Sequence, residues 1–259
     1  MDILTSKKNG IFTITFNRPE KKNAITTAMY QEMVEALLSA EADHEIRVIV
    51  FTGSDSIFTA GNDLEDFINH ADQFINTDSE KSPVVQFMVA LSSAQKPVIA
   101  AVTGLAIGIG TTMLMHCDLV YLSDEAKLSM PFTQLGLCPE FASSLLLQKI
   151  GGYHRAAEKL LLGEAFSAQE AVETGMANKV IPAKDLLSFA NQQAMKLVAL
   201  PASSLRATKR LMKSTNAQLV NDVMREEMKQ FSMMLHAPEA KEAMMAFFQK
   251  RKPNFSQFS

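Results

Sequence analysis

Phe12, Ile14 and Phe16 alternate with Thr13 and Thr15, the two-residue period of a strand with one face on a core, and Asn17-Arg18-Pro19 ends it. From Thr26 the period changes. Met29, Met33, Ala36, Leu37 and Ala40 stand three or four residues apart, which sets one apolar stripe along a helix. Three continuous apolar runs follow, Val48–Thr52 before Gly53, Pro97–Val102, and Asp118–Leu122, and such runs suit strands covered on both faces. Strands and helices thus alternate to about residue 130, the pattern of an α/β domain with βα crossovers. Beyond it the pattern is helical. Ser167-Ala168-Gln169-Glu170 predicts a capping box, Gly175 a helix end, and Val180-Ile181 before Pro182 one brief strand. Pro201 and Pro238 separate three further amphipathic helices. The polar stretch Asp72–Pro83 reads as a surface loop or the beginning of a long helix, and neither a sequence repeat nor a flexible linker is evident.

The 259 residues are 47% hydrophobic and 20% charged, with 11 Gly and 9 Pro, so a sizeable core can form and disordered or collagen-like classes are excluded. A balance of 25 Lys+Arg against 28 Asp+Glu, net −3, argues against a broad basic surface for nucleic acid; an anionic ligand must be met by local positive groups. Cys117 and Cys138 are too few for a disulfide framework, and the 5 histidines lack metal-ligand spacing, so no metal or separate cofactor is expected. The longest apolar stretch, Val98–Met115, is broken by Thr103, Gly104, Gly108, Gly110, Thr111 and Thr112, which speaks against a membrane span. The N-terminal residues carry neither a secretory nor a transit pattern, and the C-terminal ones no peroxisomal address. The expected location is the cytoplasm.

Gly104, Gly108 and Gly110 follow a predicted strand and open a helix, but the spacing matches neither a dinucleotide fingerprint nor a P-loop. What remains is a helical first turn with free N–H groups, or glycines that simply permit close packing. Phe58-Thr59-Ala60-Gly61-Asn62-Asp63-Leu64 is a second opening of the same kind. Brought together, the two would aim two backbone N–H groups at one oxygen, an arrangement that stabilises an oxyanion or enolate. Asp63 also suits a helix cap, and Asp118 a structural hydrogen-bonding role at a strand start. His116 and Cys117 are adjacent and so face apart, which argues against a nucleophile–base pair. The 16 methionines, among them Met88, Met113, Met115 and Met130, read mainly as core filler.

Asn17-Arg-Pro-Glu-Lys-Lys-Asn-Ala24, Ala60-Gly-Asn-Asp-Leu64, Lys96–Gly104, Ala106-Ile-Gly-Ile-Gly110, Cys117-Asp118, Leu160–Ala171, Gly175 and Lys250–Phe255 resemble, in order, the motifs of the crotonase (enoyl-CoA hydratase/isomerase) superfamily. The resemblance implies an α/β spiral of ββα units over residues 1–195, with residues 196–259 forming a helical C-terminal trimerisation region of the same domain. It also implies an acyl-CoA thioester as substrate and a homotrimer or hexamer as the assembly. Carried over by position, the oxyanion donors are the backbone N–H groups of Asn62 and Ile109. The family usually has glycine at the second place, so the bulk of Ile109 is expected to narrow or redirect the acyl pocket. Ala60, Gly61, Asp63, Leu64, Gly108, Phe132 and Leu137 are the expected surroundings of the substrate, with Lys22, Lys252 and Phe255 toward the CoA. Lys21, Lys250 and Arg251 are further candidate partners of its phosphates. The C-terminal basic stretch and Phe255 are expected to reach a neighbouring subunit's CoA.

The departures narrow the chemistry. Hydratases of this family activate water with two glutamates, whose positions fall at Thr112 and Phe132 here. Neither can act as a carboxylate. Cys138-Pro139-Glu140-Phe141 instead resembles the Pro-Glu motif of the peroxisomal-type Δ3,Δ2-enoyl-CoA isomerases. Glu140 is then the expected catalytic base, carrying a proton from C2 to C4 in a setting made apolar by Phe132, Leu137 and Phe141. The competing expectations are an enoyl-CoA hydratase or other crotonase-type enzyme using Glu140 on water, and a non-catalytic acyl-CoA-binding subunit.

Overall fold

The computed structural model describes residues 1–54, 56–69 and 82–258. β1 (Ile3–Lys8) and β2 (Ile11–Phe16) form an antiparallel hairpin turned by Asn9 and Gly10, both at positive φ. In β2 the predicted alternation holds at Ile14 and Phe16, which are fully buried. β1 has no such signature. Beyond Ile3 it is exposed and reads Leu-Thr-Ser-Lys-Lys, the polar, lysine-bearing composition of a protected sheet edge.

The elements then follow the periodicities. Helix α1 (Thr27–Ala42) starts on the Thr26 hydroxyl, which accepts the Met29 N–H at 3.3 Å, and it buries the predicted stripe. Such a cap contributes about 1 kcal/mol. β3 (Val48–Gly53), α2 (Leu64–Asn69) and α3 (Pro83–Ser92) come next, residues 72–81 of the anticipated loop or helix lying outside the described residues. After β4 (Val98–Val102) the chain turns at Gly104 into β5 (Leu105–Ile107) and α4 (Ile109–Thr112). After β6 (Leu119–Ser123) it passes into β7 (Lys127–Ser129) and α5 (Ser143–Gly151). α6 (Tyr153–Ala157), β8 (Phe166–Ser167), α7 (Ala168–Glu173) and β9 (Lys179–Ile181) lead to α8 (Leu186–Val198), α9 (Ala202–Leu235) and α10 (Pro238–Phe248). The capping box is present at Ser167 and Glu170, and the two prolines separate the last three helices as predicted.

The large sheet has the order β1-β2-β3-β4-β6-β9 and is parallel after the first pair. Its central strands feed two cores. Ile49, Phe51, Val98, Ala100 and Val102 face α1 and α3, while Val48, Val50, Ile99 and Ala101 share the second core with Leu186, Ala190 and Ala194 of α8. This two-sided burial is why β3 and β4 read as unbroken apolar runs. β5, β7 and β8 make a second, three-stranded sheet. Successive ββα units therefore put one strand in each sheet, a repetition of structure that leaves no repetition of sequence. Residue 196 falls within α8, so the portion that leaves the sheet begins at α9. No helix among the described residues is long and apolar enough to cross a membrane.

Candidate active site

β5 ends at Ile107, and Gly108, at φ +56°, turns the chain into α4. Ile109 is thereby the first helical residue, a position with no intrahelical acceptor for its N–H. Alongside β5 runs Phe58–Gly61. Phe58 N–H donates to Thr103 O at 2.7 Å, Thr59 N–H to Leu105 O at 2.9 Å, and Ile107 N–H to Thr59 O at 3.1 Å. Thr59 pairs in parallel with Ala106, and three residues further along each segment stand Asn62 and Ile109. On the opposite edge Ile25 N–H donates to Gly61 O at 2.8 Å and Asp63 N–H to Ile25 O at 2.9 Å. Asn62 N–H therefore faces away from that edge. Among the described residues, neither Asn62 N–H nor Ile109 N–H donates to a protein group.

The glycines explain the approach. A Cβ on Gly61 would stand 2.7 Å from the Ile107 carbonyl oxygen, and one on Gly110 2.5 Å from the Thr59 side chain. Close packing and ligand access are thus one requirement at this place. Tyr30, buried in α1, donates its hydroxyl to Asn62 Oδ1 at 2.5 Å and so holds the side chain beside the first unpartnered N–H.

The carboxylate comes from the turn before α5. Glu140 is 5% exposed and its Oε1 has no hydrogen-bond partner among the described residues. Burial, and then the neighbouring Glu227 carboxylate, push it up to about 8. Glu140 in turn raises the Tyr30 phenol, after the larger effect of burial. Phe141 and Ala142 then adopt left-handed conformations at φ +59° and +54°, each costing about 1–3 kcal/mol for a residue with a side chain. Two contacts hold them. His116, at the end of the 3₁₀ turn that continues α4, stacks on the Phe141 ring and donates Nε2–H to its carbonyl at 2.8 Å. Glu227 of α9 accepts the N–H groups of Ala142 at 2.6 Å and Ser144 at 3.0 Å. One helical element thus begins with the Ile109 N–H and ends against the Glu140 turn.

Phe132 and Leu137 are buried in the same core as Phe141. Thr112 is fully buried as well. The Ile109 side chain lies in the main core at 1% exposed, so much of the expected extra bulk is absorbed by packing. Asp63 caps α2 through Oδ1 and forms an ion pair with Arg18 Nη1 at 2.7 Å, which leaves it committed to the protein. Ala60 N–H donates to Lys22 O at 3.0 Å, which places the exposed Lys22 beside the first loop, and Leu64 opens α2 at that loop's end. Lys252 is exposed and Phe255 half-buried. Arg251, anticipated as a phosphate partner, instead forks onto Glu242 of its own chain at 2.5 and 2.8 Å.

Asp118 has the structural role anticipated for it, accepting from Val98 N–H and Lys209 Nζ. Burial lowers the His116 imidazole to about 3 and raises the Cys117 thiol to about 12, so this pair cannot supply a thiolate and base near neutral pH. Sequence reasoning missed Glu227, Tyr30 and Asn23. A signal existed for Glu227, a carboxylate in the buried stripe Met224, Glu227, Phe231, Leu235. Asn23 is fully buried, and its amide binds the carbonyls of Ile57 and Phe58 behind the first loop.

Two unpartnered N–H groups and one buried carboxyl near neutral pKa can hold a developing oxyanion and move a proton. Among the described residues, no cluster of three or more His, Cys, Asp or Glu is placed to hold a metal. A family model described as enoyl-CoA hydratase/isomerase matches residues 6–258. Enoyl-CoA delta isomerase 2 of Rattus norvegicus is 36% identical over 97% of this chain, which spans 64% of that relative. The 2,3-dehydroadipyl-CoA hydratase of Escherichia coli is 29% identical over 98% of both chains. The crystal structure of an enoyl-CoA hydratase/isomerase from Pseudoalteromonas atlantica T6c superposes with a TM-score of 0.92 at 37% identity, over 99% of this chain and 100% of that one. Motif order, the two-sheet ββα architecture and these likenesses agree: the chain belongs to the enoyl-CoA hydratase/isomerase family and has the crotonase fold.

Proposed function

We propose that this protein converts 3-enoyl-CoA to 2-trans-enoyl-CoA, with Glu140 as the single base and the N–H groups of Asn62 and Ile109 as the oxyanion hole. The observation that carries the reading is Glu140 itself, the buried carboxyl at about 8 in a site whose hydratase glutamate positions are Thr112 and Phe132. Ionised Glu140 removes a proton from C2, the electrons pass into a dienolate whose oxygen rests on the two N–H groups, and the same proton returns at C4. No water is consumed. Each donor contributes about 3–4 kcal/mol when charge develops on the oxygen. Resemblance to delta isomerases supports this specificity, and a place in fatty-acid degradation follows from it.

Lys22, Lys252 and Phe255 are proposed to serve the CoA portion. Assembly as a trimer or hexamer is supported by the exposed apolar side chains Leu211, Met212 and Leu219 on α9. The deciding assay feeds 3-enoyl-CoA and follows the ultraviolet absorption of the conjugated product. We expect conjugation to appear and Glu140→Gln to lose about 10²–10⁴-fold in kcat while still binding the ester. Consumption of 2-enoyl-CoA with loss of conjugation would instead establish a hydratase, and binding without turnover a non-catalytic subunit.

A further inference from the structure

We propose that Glu227 of α9 is a positioning residue for Glu140, holding the turn that presents it and supplying the negative charge that its proton exchange feels. The proposal rests on the isomerase reading above. Glu227 is 7% exposed, and among the described residues no Lys, Arg or His forms an ion pair with it. Its carboxylate accepts from the Ala142 N–H at 2.6 Å, the Ser144 N–H at 3.0 Å and the Ser144 hydroxyl at 2.5 Å. All three donors lie within four residues of Glu140, just after or within the left-handed pair Phe141 and Ala142. A buried carboxylate without a cation is costly, and a fold that needed only a turn acceptor could use an uncharged one.

The surroundings isolate Glu227 as the charge that Glu140 meets. From α1 comes the Tyr30 phenol, raised by burial, and from Glu140's own segment the Cys138 thiol, raised to about 11, so both are neutral near pH 7. His116 contacts the next residue and is also neutral. Asp66 of α2 acts on Tyr30. Glu227 is the neighbour whose charge acts on Glu140, and its own carboxyl is raised by burial against the pull of its three donors. The orphaned Oε1 of Glu140 fits a carboxyl held by its turn alone, free to carry a proton between two carbons.

The experiment compares the whole protein with Glu227→Gln, Glu227→Asp, Glu227→Ala and, as reference, Glu140→Gln. An infrared titration follows the Glu140 carboxyl stretch, assigned by its loss in Glu140→Gln. We expect its midpoint to fall by about one pH unit in Glu227→Gln, which removes a like charge, and to stay near the wild-type value in Glu227→Asp. With 3-enoyl-CoA, the acid limb of kcat/KM should move the same way, and Glu227→Ala should lose about 10- to 100-fold in kcat with little change in KM. An unmoved midpoint in Glu227→Gln together with wild-type kcat overturns the proposal. The Gln variant keeps an acceptor for both Ser144 donors and decides the matter if Glu227→Ala does not fold. The infrared signal needs no turnover, so full activity of Glu140→Gln would exclude Glu140 as the base while the midpoint in Glu227→Gln still reports whether Glu227 sets its proton exchange.

Discussion

At the scale of a residue, Glu140 is an acid whose pKa is about 8 in the fold against an ordinary 4.5. Between those values the folded chain holds a proton that the unfolded chain has released, so stability must fall as pH rises through that window. The slope from this group is about 1.4 kcal/mol per pH unit. Urea titrations at pH 5 to 8 should show this decline in the wild type and its loss in Glu140→Gln; parallel curves would mean that the carboxyl is not buried as described. In the proposed mechanism, that destabilisation near neutral pH accompanies keeping a base in an apolar setting. Residue identity alone pointed to Glu140 through its Pro-Glu context, and its apolar neighbours anticipated burial, the larger cause of its shift. The second and smaller cause, Glu227, stands 87 positions away in sequence and became its neighbour only through folding.

At the scale of an element, the proposed oxyanion hole depends on two short segments running side by side without room for a Cβ. Gly61, at φ +86°, is where the donor loops meet backbone to backbone, a Cβ there standing 2.7 Å from the Ile107 carbonyl oxygen. Gly61→Ala should cost about 1–3 kcal/mol of stability. It should also lower kcat about 100-fold through displacement of the Asn62 N–H, measured on 3-enoyl-CoA. Unchanged kcat in the folded variant would remove Asn62 from the hole. The motifs around Gly61 and Gly108 were legible, but their meeting was not. β5, β7 and β8 span only two or three residues each, too short for any periodicity, and their pairing is a tertiary event.

For the whole molecule, α9 acts as a strut between the sheet and the site. Lys209 donates to Asp118 Oδ2 at 2.6 Å and to Lys96 O at 2.7 Å, Lys213 donates to the His116 carbonyl at 3.1 Å, and Phe231 packs edge-on against Phe67 and Phe132. The helix therefore closes on its own chain. Lys209→Met should destabilise by about 3–5 kcal/mol, because Asp118 is left without its cation. Combined with Asp118→Asn the loss should be far from additive, as a denaturation cycle will report. Additive losses would show that the pair does not tie α9 to the strand ends.

The sequence by itself determined the elements whose side chains repeat with a period: the alternating strand, the two-sided apolar strands, the striped helices, the capping box and their order. It also carried the family resemblance and the candidate carboxylate, because motifs are local in the chain. Only the tertiary structure decided that the donor loops lie edge to edge, that Tyr30 and His116 link them to the Glu140 turn, and that a helix read as an assembly element supplies Glu227. The reason is physical. Periodicity records which face of a segment is buried, whereas a site of this kind is made by hydrogen bonds and fields between segments far apart in the chain, whose pairing leaves no local mark.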